Sequence, residues 1–156
     1  MVALPEPLTD LEAMELALTE ARQAAEAGEV PVGAIAVSGG SIVGYGQNRV
    51  IRYQDPVAHA EIVALREAAA TVNNYRLNGV TLYTTLEPCP MCAGAMIHAR
   101  IDRLVYAASD PKAGAAGSVL QILNHPNLNH QMVVEHGLLA EVSADLLKSF
   151  FRSRRT

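Results

Sequence analysis

The sequence predicts an α/β fold of three layers, in which helices cover both faces of a central mixed five-stranded sheet. Five short apolar runs alternate with segments of helical periodicity along a chain of 156 residues. Half of the residues are hydrophobic, and a chain of this length can bury a substantial core. Small residues fill the predicted helices and permit close contact between helix and sheet.

The first half of the chain predicts a helix, a strand pair and a second helix. Thr9 and Glu12 form a capping-box pattern before an apolar helical stripe, and Gly28 is a suitable C-terminal stop. Residues 32–47, VGAIAVSGGSIVGYGQ, contain two strand patterns around a Gly-Gly turn. After a loop, residues 58–72 have the apolar spacing of a helix.

The second half continues the alternation of strands and helices. No internal repeat or low-complexity tract interrupts it, and we expect residues 1–156 to form a single domain. The segments, in order, are a strand at 80–86, a short helix at 91–99, a strand at 103–109, a glycine-rich loop at 110–118, a strand at 131–137 and a final helix at 143–155.

The composition of the chain indicates the cellular compartment in which the protein is expected. No run approaches the roughly 18–20 apolar residues that cross a bilayer, so no membrane association is expected. The N-terminus lacks the basic start and apolar centre of a signal peptide. Two cysteines do not suggest a disulfide scaffold, and we predict a cytoplasmic protein.

Charge is distributed unevenly around a formal net charge of −4. Residues 1–30 carry seven acidic residues and one basic residue. The C-terminal LLKSFFRSRRT carries Lys148, Arg152, Arg154 and Arg155 and no acidic residue. This basic end permits an anionic partner at one face, but the charge pattern alone favours a solvated terminal helix.

The two cysteines, Cys89 and Cys92, lie in the sequence TLEPCPMCAGAMIHARI at the start of a predicted helix. By itself this spacing fits a redox pair, a disulfide, a metal site or two buried thiols. Zinc in a catalytic site needs three protein ligands and one open position. His59, in the sequence HAE at the start of another predicted helix, is a candidate third ligand.

Glu61 adds a catalytic group to this candidate site. At a helix N-terminus, His59 and Glu61 can both point into a pocket beyond the helix end, and the helix dipole there favours thiolates. Both helix starts are expected at the same edge of the sheet, where α/β proteins usually build their sites. We therefore predict one Zn²⁺ per chain on His59, Cys89 and Cys92, with Glu61 as an unligated general acid and base.

The combination H-A-E … P-C-x-x-C resembles the signature of the zinc-dependent nucleoside and nucleobase deaminases. Within that superfamily the chain is similar to the bacterial tRNA-specific adenosine deaminases, over about residues 10–155. The similarity includes EVPVGAIAV, DPVAHAEIVALR, NYRL, TLYTTLEPCPMCAGAMIHARI, GAAGS and FFRSRR. It implies a cytidine-deaminase-like fold, a homodimer, and conversion of adenosine to inosine at the wobble position of a tRNA anticodon stem-loop.

The resemblance also assigns roles to individual residues. Zinc-activated water would replace the amino group at C6 of adenine, while Glu61 carries protons to ring N1 and to the departing ammonia. The residues expected to contact the flipped nucleoside or line its pocket are Val32, Asn48 and Ala60, the last through its backbone amide. Those expected to meet the surrounding RNA are Asp110, Lys112, Phe151, Arg152 and Arg154.

Three other functions compete with this one. A deaminase of a free base or nucleoside, of guanine or cytosine type, would share the zinc chemistry. A non-catalytic RNA-binding module stabilised by zinc would have no need of Glu61. A thioredoxin-like redox protein fits neither the order of the elements nor the presence of His59.

Overall fold

A computed structural model describes residues 6–154 of the chain. The order of elements along the chain agrees with the predicted order. The elements are α1 (Asp10–Glu26), β1 (Gly33–Ser38), β2 (Ser41–Gln47), α2 (Ala60–Val72), β3 (Val80–Leu86), α3 (Pro90–Ala99), β4 (Arg103–Ala108), β5 (Val133–His136) and α4 (Ala140–Ser153).

The five strands form one mixed sheet in the order β2-β1-β3-β4-β5. β1 runs antiparallel to both of its neighbours, and the pairs β3–β4 and β4–β5 are parallel. Because β2 and β3 both oppose β1, strands β2, β3 and β4 all end at one edge of the sheet. The segments that carry the predicted site residues leave the sheet at this edge.

Helices cover both faces of the sheet, which confirms the three-layer prediction. α1 packs on β1, β2 and β3 and touches α4, while α2 packs on β1 and β2 and touches α3. Alternate residues of β1 point to opposite faces, as the pleat requires. Ala34 and Ala36 join the core beneath α2 and α3, and Ile35 and Val37 join the core beneath α1.

Local sequence signals account for most of the element ends. Thr9 and Glu12 exchange both hydrogen bonds of a capping box at the start of α1. Gly39 and Gly40 both have positive φ angles, 59° and 79°, in the turn between β1 and β2.

The final helix differs from its predicted bounds. It begins at Ala140, three residues before the predicted start, because Leu139 takes the N-cap position in a left-handed conformation with φ of 58°. Such a cap by a non-glycine residue carries no sequence signal. The helix ends at Ser153, and the predicted last residue, 155, lies outside the described part of the chain.

The close contact between sheet and helices depends on glycines that face the helices. A Cβ added to Gly46 in β2 would lie 2.0 Å from the Ala60 carbonyl oxygen and 2.6 Å from the Ala64 nitrogen. A Cβ on Gly33 would meet the Ala17 oxygen of α1 at 1.9 Å. The N-terminal turn of α2 therefore lies directly on the end of β2.

Among residues 6–154, no helix has the length and apolar character needed to cross a membrane.

The seating of α2 on β2 is testable with Gly46→Ala. The added methyl group meets helix backbone, which cannot rotate away, so we expect a loss of about 1–3 kcal/mol in the free energy of unfolding, the usual cost of overpacking. Chemical denaturation measures this loss. Ser41→Ala, at an exposed position of the same strand, is the control and should change stability by less than about 0.5 kcal/mol. Equal stabilities for the two variants would contradict this packing.

Candidate active site

The edge of the sheet where β2, β3 and β4 end brings the predicted ligands together. His59 is the N-cap residue of α2 and Cys89 is the N-cap residue of α3, both with extended backbones and without a capping side-chain bond. Cys92 lies in the first turn of α3 and is fully buried. At both helix starts, the position that usually holds a capping side chain is thus occupied by a candidate ligand, and its side chain points beyond the helix end.

The three side chains form a compact cluster. The Nδ1 atom of His59 lies 3.5 Å from the Sγ atom of Cys89 and 3.5 Å from that of Cys92. The three ligand atoms all lie within 4.8 Å of one another, and no other group of this kind occurs in residues 6–154. A nitrogen and a sulfur bound to one tetrahedral zinc are about 3.6 Å apart, given the usual bond lengths. The cluster therefore fits zinc in both chemistry and spacing.

The electrostatics of the cysteines also suit a cation. The hydrogen bond from Cys92 lowers the pKa of Cys89 to about 4, while the pKa of Cys92 is raised by that bond and by burial. The hydrogen bond to Cys89 raises the pKa of His59. The cysteines are not joined in a disulfide. The cluster therefore already holds a thiolate, the form of cysteine that binds zinc.

Glu61 lies next to the cluster in the first turn of α2. It is only 4% exposed, and its burial raises the pKa of its carboxyl group to about 7. It interacts with the charges of His59 and Cys89 and shares a hydrogen bond with Cys92. A buried carboxyl group that titrates near neutrality can take up and release a proton at this position.

Asn48 links the end of β2 to the start of α2. Its Oδ1 atom accepts a hydrogen bond of 2.9 Å from the Ala60 amide, between His59 and Glu61. From the family resemblance, this amide is expected to contact the base. In the structure the Ala60 amide donates its hydrogen bond to Asn48. To contact a base as well, the amide would have to divide its hydrogen bond between the two acceptors.

Glu29, which was not among the predicted site residues, holds the loop that leads from Asn48 toward His59. This carboxylate is 1% exposed and accepts hydrogen bonds from the Ile51 amide, the Arg52 amide and the Arg52 side chain. Burial alone would raise the pKa of Glu29, but these bonds lower it overall. Arg52 in turn donates to the Asn48 carbonyl oxygen at 2.6 Å. The only sequence signal was an acidic residue in the segment EVPVG.

A groove of about 610 Å³ opens at the same edge of the sheet, between α4 and the loop that follows β4. Three basic side chains line it, together with one carboxylate and one phenyl ring. These five residues are Lys112, Lys148, Arg152, Asp110 and Phe151, and four of them, all except Lys148, were predicted to contact RNA.

Not every predicted contact residue lies in this groove. The Arg154 guanidinium lies over the Phe150 ring, 4.6 Å from its centroid, and is not among the groove residues. Phe150 meets Phe151 edge-on at 5.5 Å, and Phe151, 44% exposed, is the aromatic residue that faces the groove. Val32 also lies outside the groove: it is buried in the core cluster that contains Ala60 and Cys92, and its carbonyl oxygen accepts a hydrogen bond from the Asn48 amide.

Fold and site together define a deaminase, because a buried carboxyl group adjoins a His/Cys/Cys cluster at the end of a mixed sheet. Comparison with known proteins also identifies the chain as a deaminase. The family model described as MafB19-like deaminase matches residues 8–155. A tRNA-specific adenosine deaminase of Haemophilus influenzae is 49% identical over 94% of this chain and 85% of its own length.

Two solved structures extend the comparison. One, from studies of A-to-I editing by tRNA:A34 deaminases at the wobble position of transfer RNA, has a TM-score of 0.84 at 46% identity, covering 86% of this chain and 98% of its own. The other, a guanine deaminase from Nitrosomonas europaea, has a TM-score of 0.81 at 27% identity, covering 94% and 87%. The chain belongs to the tRNA-specific adenosine deaminase family, within the MafB19-like deaminases.

The ligand assignment predicts about one zinc per purified chain. Cys89→Ser should weaken zinc binding at least tenfold, since loss of even an outer-shell partner costs about 10- to 100-fold in affinity. Metal analysis after dialysis against a chelator measures this difference. His125→Ala, at an exposed loop position, is the control and should keep full zinc content. Zinc retained by Cys89→Ser at the wild-type level would remove Cys89 from the ligand set.

Proposed function

We propose that this protein deaminates adenosine to inosine at the wobble position of a tRNA anticodon by hydrolysis. The observation that carries the proposal is Glu61, a buried carboxyl group with a pKa near 7 beside the His59, Cys89 and Cys92 cluster. A metal site that served only to stabilise the fold would have no use for it. The family membership supports adenosine within tRNA as the substrate.

The proposed cofactor is one Zn²⁺ ion per chain, held by His59, Cys89 and Cys92. Bound zinc supplies a water molecule whose pKa is lowered to about 7. Glu61 would accept a proton from the attacking water molecule and would deliver protons to the ring nitrogen and to the departing ammonia. Its pKa near 7 suits both directions of transfer, because neither protonation state is strongly favoured at neutral pH.

The positions that face the adenine follow from the same site. The Oδ1 atom of Asn48 accepts a hydrogen bond from the Ala60 amide, which fixes the orientation of the Asn48 side chain. This bond does not use the side-chain NH₂ group of Asn48, which is a hydrogen-bond donor. We propose that this group contacts the nucleoside and that Val32, whose carbonyl oxygen bonds to the Asn48 amide, lines the pocket. Ala60 joins them only if its amide shares its bond to Asn48.

The groove supports an RNA substrate. Lys112, Lys148 and Arg152 can neutralise phosphates, and the exposed Phe151 ring can stack on an unpaired base. Asp110 fixes its own loop, because its Oδ1 atom accepts bonds from the amides of Lys112 and Ala113. We propose that Asp110 and Lys112 meet the anticodon nucleotides next to the flipped base, and that Arg154 contacts RNA from outside the groove.

The second candidate is a deaminase of a free base, favoured by the structural match to a guanine deaminase. The ligand cluster and Glu61 would serve either reaction. The basic groove with its exposed phenyl ring is a feature that a free base would leave unused, and for this reason we favour RNA.

The assembly and location of the protein are also proposals. We propose that residues 1–156 form one deaminase domain, which the single sheet with two covered faces supports. We further propose a homodimer in the cytoplasm, where the tRNA substrate and reduced thiols occur together.

Replacing the proton carrier tests the reaction. Glu61→Ala should retain zinc and lose at least about 10²-fold of the deamination rate, the usual share of general acid–base catalysis. The assay measures ammonia and inosine formed from an anticodon stem-loop that carries a wobble adenosine. Full activity in Glu61→Ala would contradict the mechanism. Free adenosine and free guanine serve as comparison substrates, and equal rates on free adenosine and the stem-loop would contradict the RNA assignment.

Phe151→Ala tests the groove. Loss of a stacking ring should weaken stem-loop binding by about 1–3 kcal/mol, as for other aromatic platforms. Fluorescence anisotropy with labelled stem-loop measures the affinity. Val142→Ala, an exposed position of the same helix outside the groove, is the matched control and should bind like the wild type. Similar affinities for the two variants would place the RNA elsewhere.

A further inference from the structure

Glu87 is a buried carboxylate that lies two residues before Cys89 and that the proposed reaction does not use. It is 2% exposed. Its carboxylate accepts hydrogen bonds from the Asp110 amide at 3.0 Å, the Ala116 amide at 2.9 Å, and both the amide and the hydroxyl group of Ser118. None of the ion pairs found in residues 6–154 includes Glu87. Its charge is therefore balanced by the loop that follows β4.

The 110–118 loop is shaped around this carboxylate. A Cβ added to Gly114 would lie 2.3 Å from the carboxyl carbon of Glu87, so only glycine permits the loop to pass this closely. Burial alone would raise the pKa of Glu87, yet the bonds from Ser118, Asp110 and Ala116 lower it overall. Two backbone bonds reinforce the contact, from Glu87 to the Ala108 oxygen and from Ala115 to the Pro88 oxygen, both 2.8 Å.

This contact connects two parts of the site that the chain sequence separates. The loop supplies one wall of the groove through Asp110 and Lys112. The residues directly after Glu87 lead to Cys89 at the start of α3. We propose that Glu87 is a positioning residue, which holds the substrate-contacting loop in register with the metal-ligand segment. The proposal rests on the proposed function, because it assigns Glu87 a role in RNA selection at that site.

A positioning role has a kinetic signature that differs from a role in chemistry. The acceptor positions of Glu87 are occupied by loop donors, so the group has no proton to supply to a substrate. Releasing the loop should therefore weaken binding of the RNA and leave the proton transfers by Glu61 intact. A general loss of fold would lower stability, zinc content and turnover together.

The principal test is Glu87→Gln, which keeps the shape of the side chain but turns an NH₂ group toward amide donors. We expect exchange of the Ala116 and Ser118 amides to be at least about tenfold faster, as for loss of a bond to a charged acceptor. The KM for the stem-loop should rise about tenfold for the same reason, with kcat and zinc content close to wild type. Glu26→Gln, at an exposed position, is the matched control and should change none of these quantities.

Two further variants guard against a failure of Glu87→Gln to fold. Ser118→Ala removes one donor, the hydroxyl group, and leaves the backbone amide and the carboxylate in place, so it should show the same pattern at smaller amplitude. Gly114→Ala forces the loop away without changing Glu87, and it should reproduce the rise in KM. A fall in kcat with unchanged KM, or wild-type exchange in the loop of Glu87→Gln, would overturn the proposal.

Binding measurements separate this proposal from the proposed function. The affinity for the stem-loop is measured in a Glu61→Ala background, where no turnover is needed. Weaker binding on adding Glu87→Gln supports the positioning role even if the deaminated base were another one. Absence of stem-loop binding by the wild-type protein would instead overturn the RNA substrate, and with it the role assigned to Glu87.

Discussion

The hydrogen bonds made at the end of β3 are the constraint on which the rest of the site depends. The Thr85 hydroxyl group accepts a bond from the Gly33 amide at the start of β1, and the Thr85 carbonyl oxygen accepts one from Ser143 in α4. Glu87 holds the loop after β4, and Cys89, two residues later, is the N-cap residue of α3. One short segment thus sets the positions of both groove walls and of a metal ligand. A shift of this segment would move them together.

Two buried carboxylates share the task of fixing loops around the ligand cluster. Glu29 binds the loop between β2 and α2, and Glu87 binds the loop after β4. In each case backbone amides supply most of the donors, and a carboxylate can accept several such bonds at once. Buried charge is costly unless it is fully hydrogen-bonded, so each carboxylate favours one loop conformation strongly over others. The loops are thereby ordered without regular secondary structure.

The sequence predicted the elements and the ligand set because their signals are local. Each signal lies within a few residues of the element that it predicts. Examples are the Thr9–Glu12 capping box of α1, the Gly39–Gly40 turn, and the ligands at the starts of α2 and α3. Glu29 and Glu87 carried no such signal. Their partners lie 22 to 31 residues away, and an isolated acidic residue in a sequence resembles any solvated one. The bond from the Ala60 amide to Asn48 carried no such signal either, because its acceptor lies 12 residues earlier.

The residues of the proposed chemistry carry local sequence signals, whereas Glu87, which holds one wall of the groove, has distant partners. The ligand cluster and Glu61 need only two helix N-termini brought together, and a guanine deaminase shares the fold that brings them together. Under the proposed function, the choice of substrate depends on the groove between α4 and the 110–118 loop. Ser143 bonds α4 to the end of β3, and Glu87 bonds the 110–118 loop to the segment after β3, and both residues lie outside the metal-ligand motif. Such an arrangement permits the groove to change in sequence and shape while the proton chemistry at Glu61 is preserved.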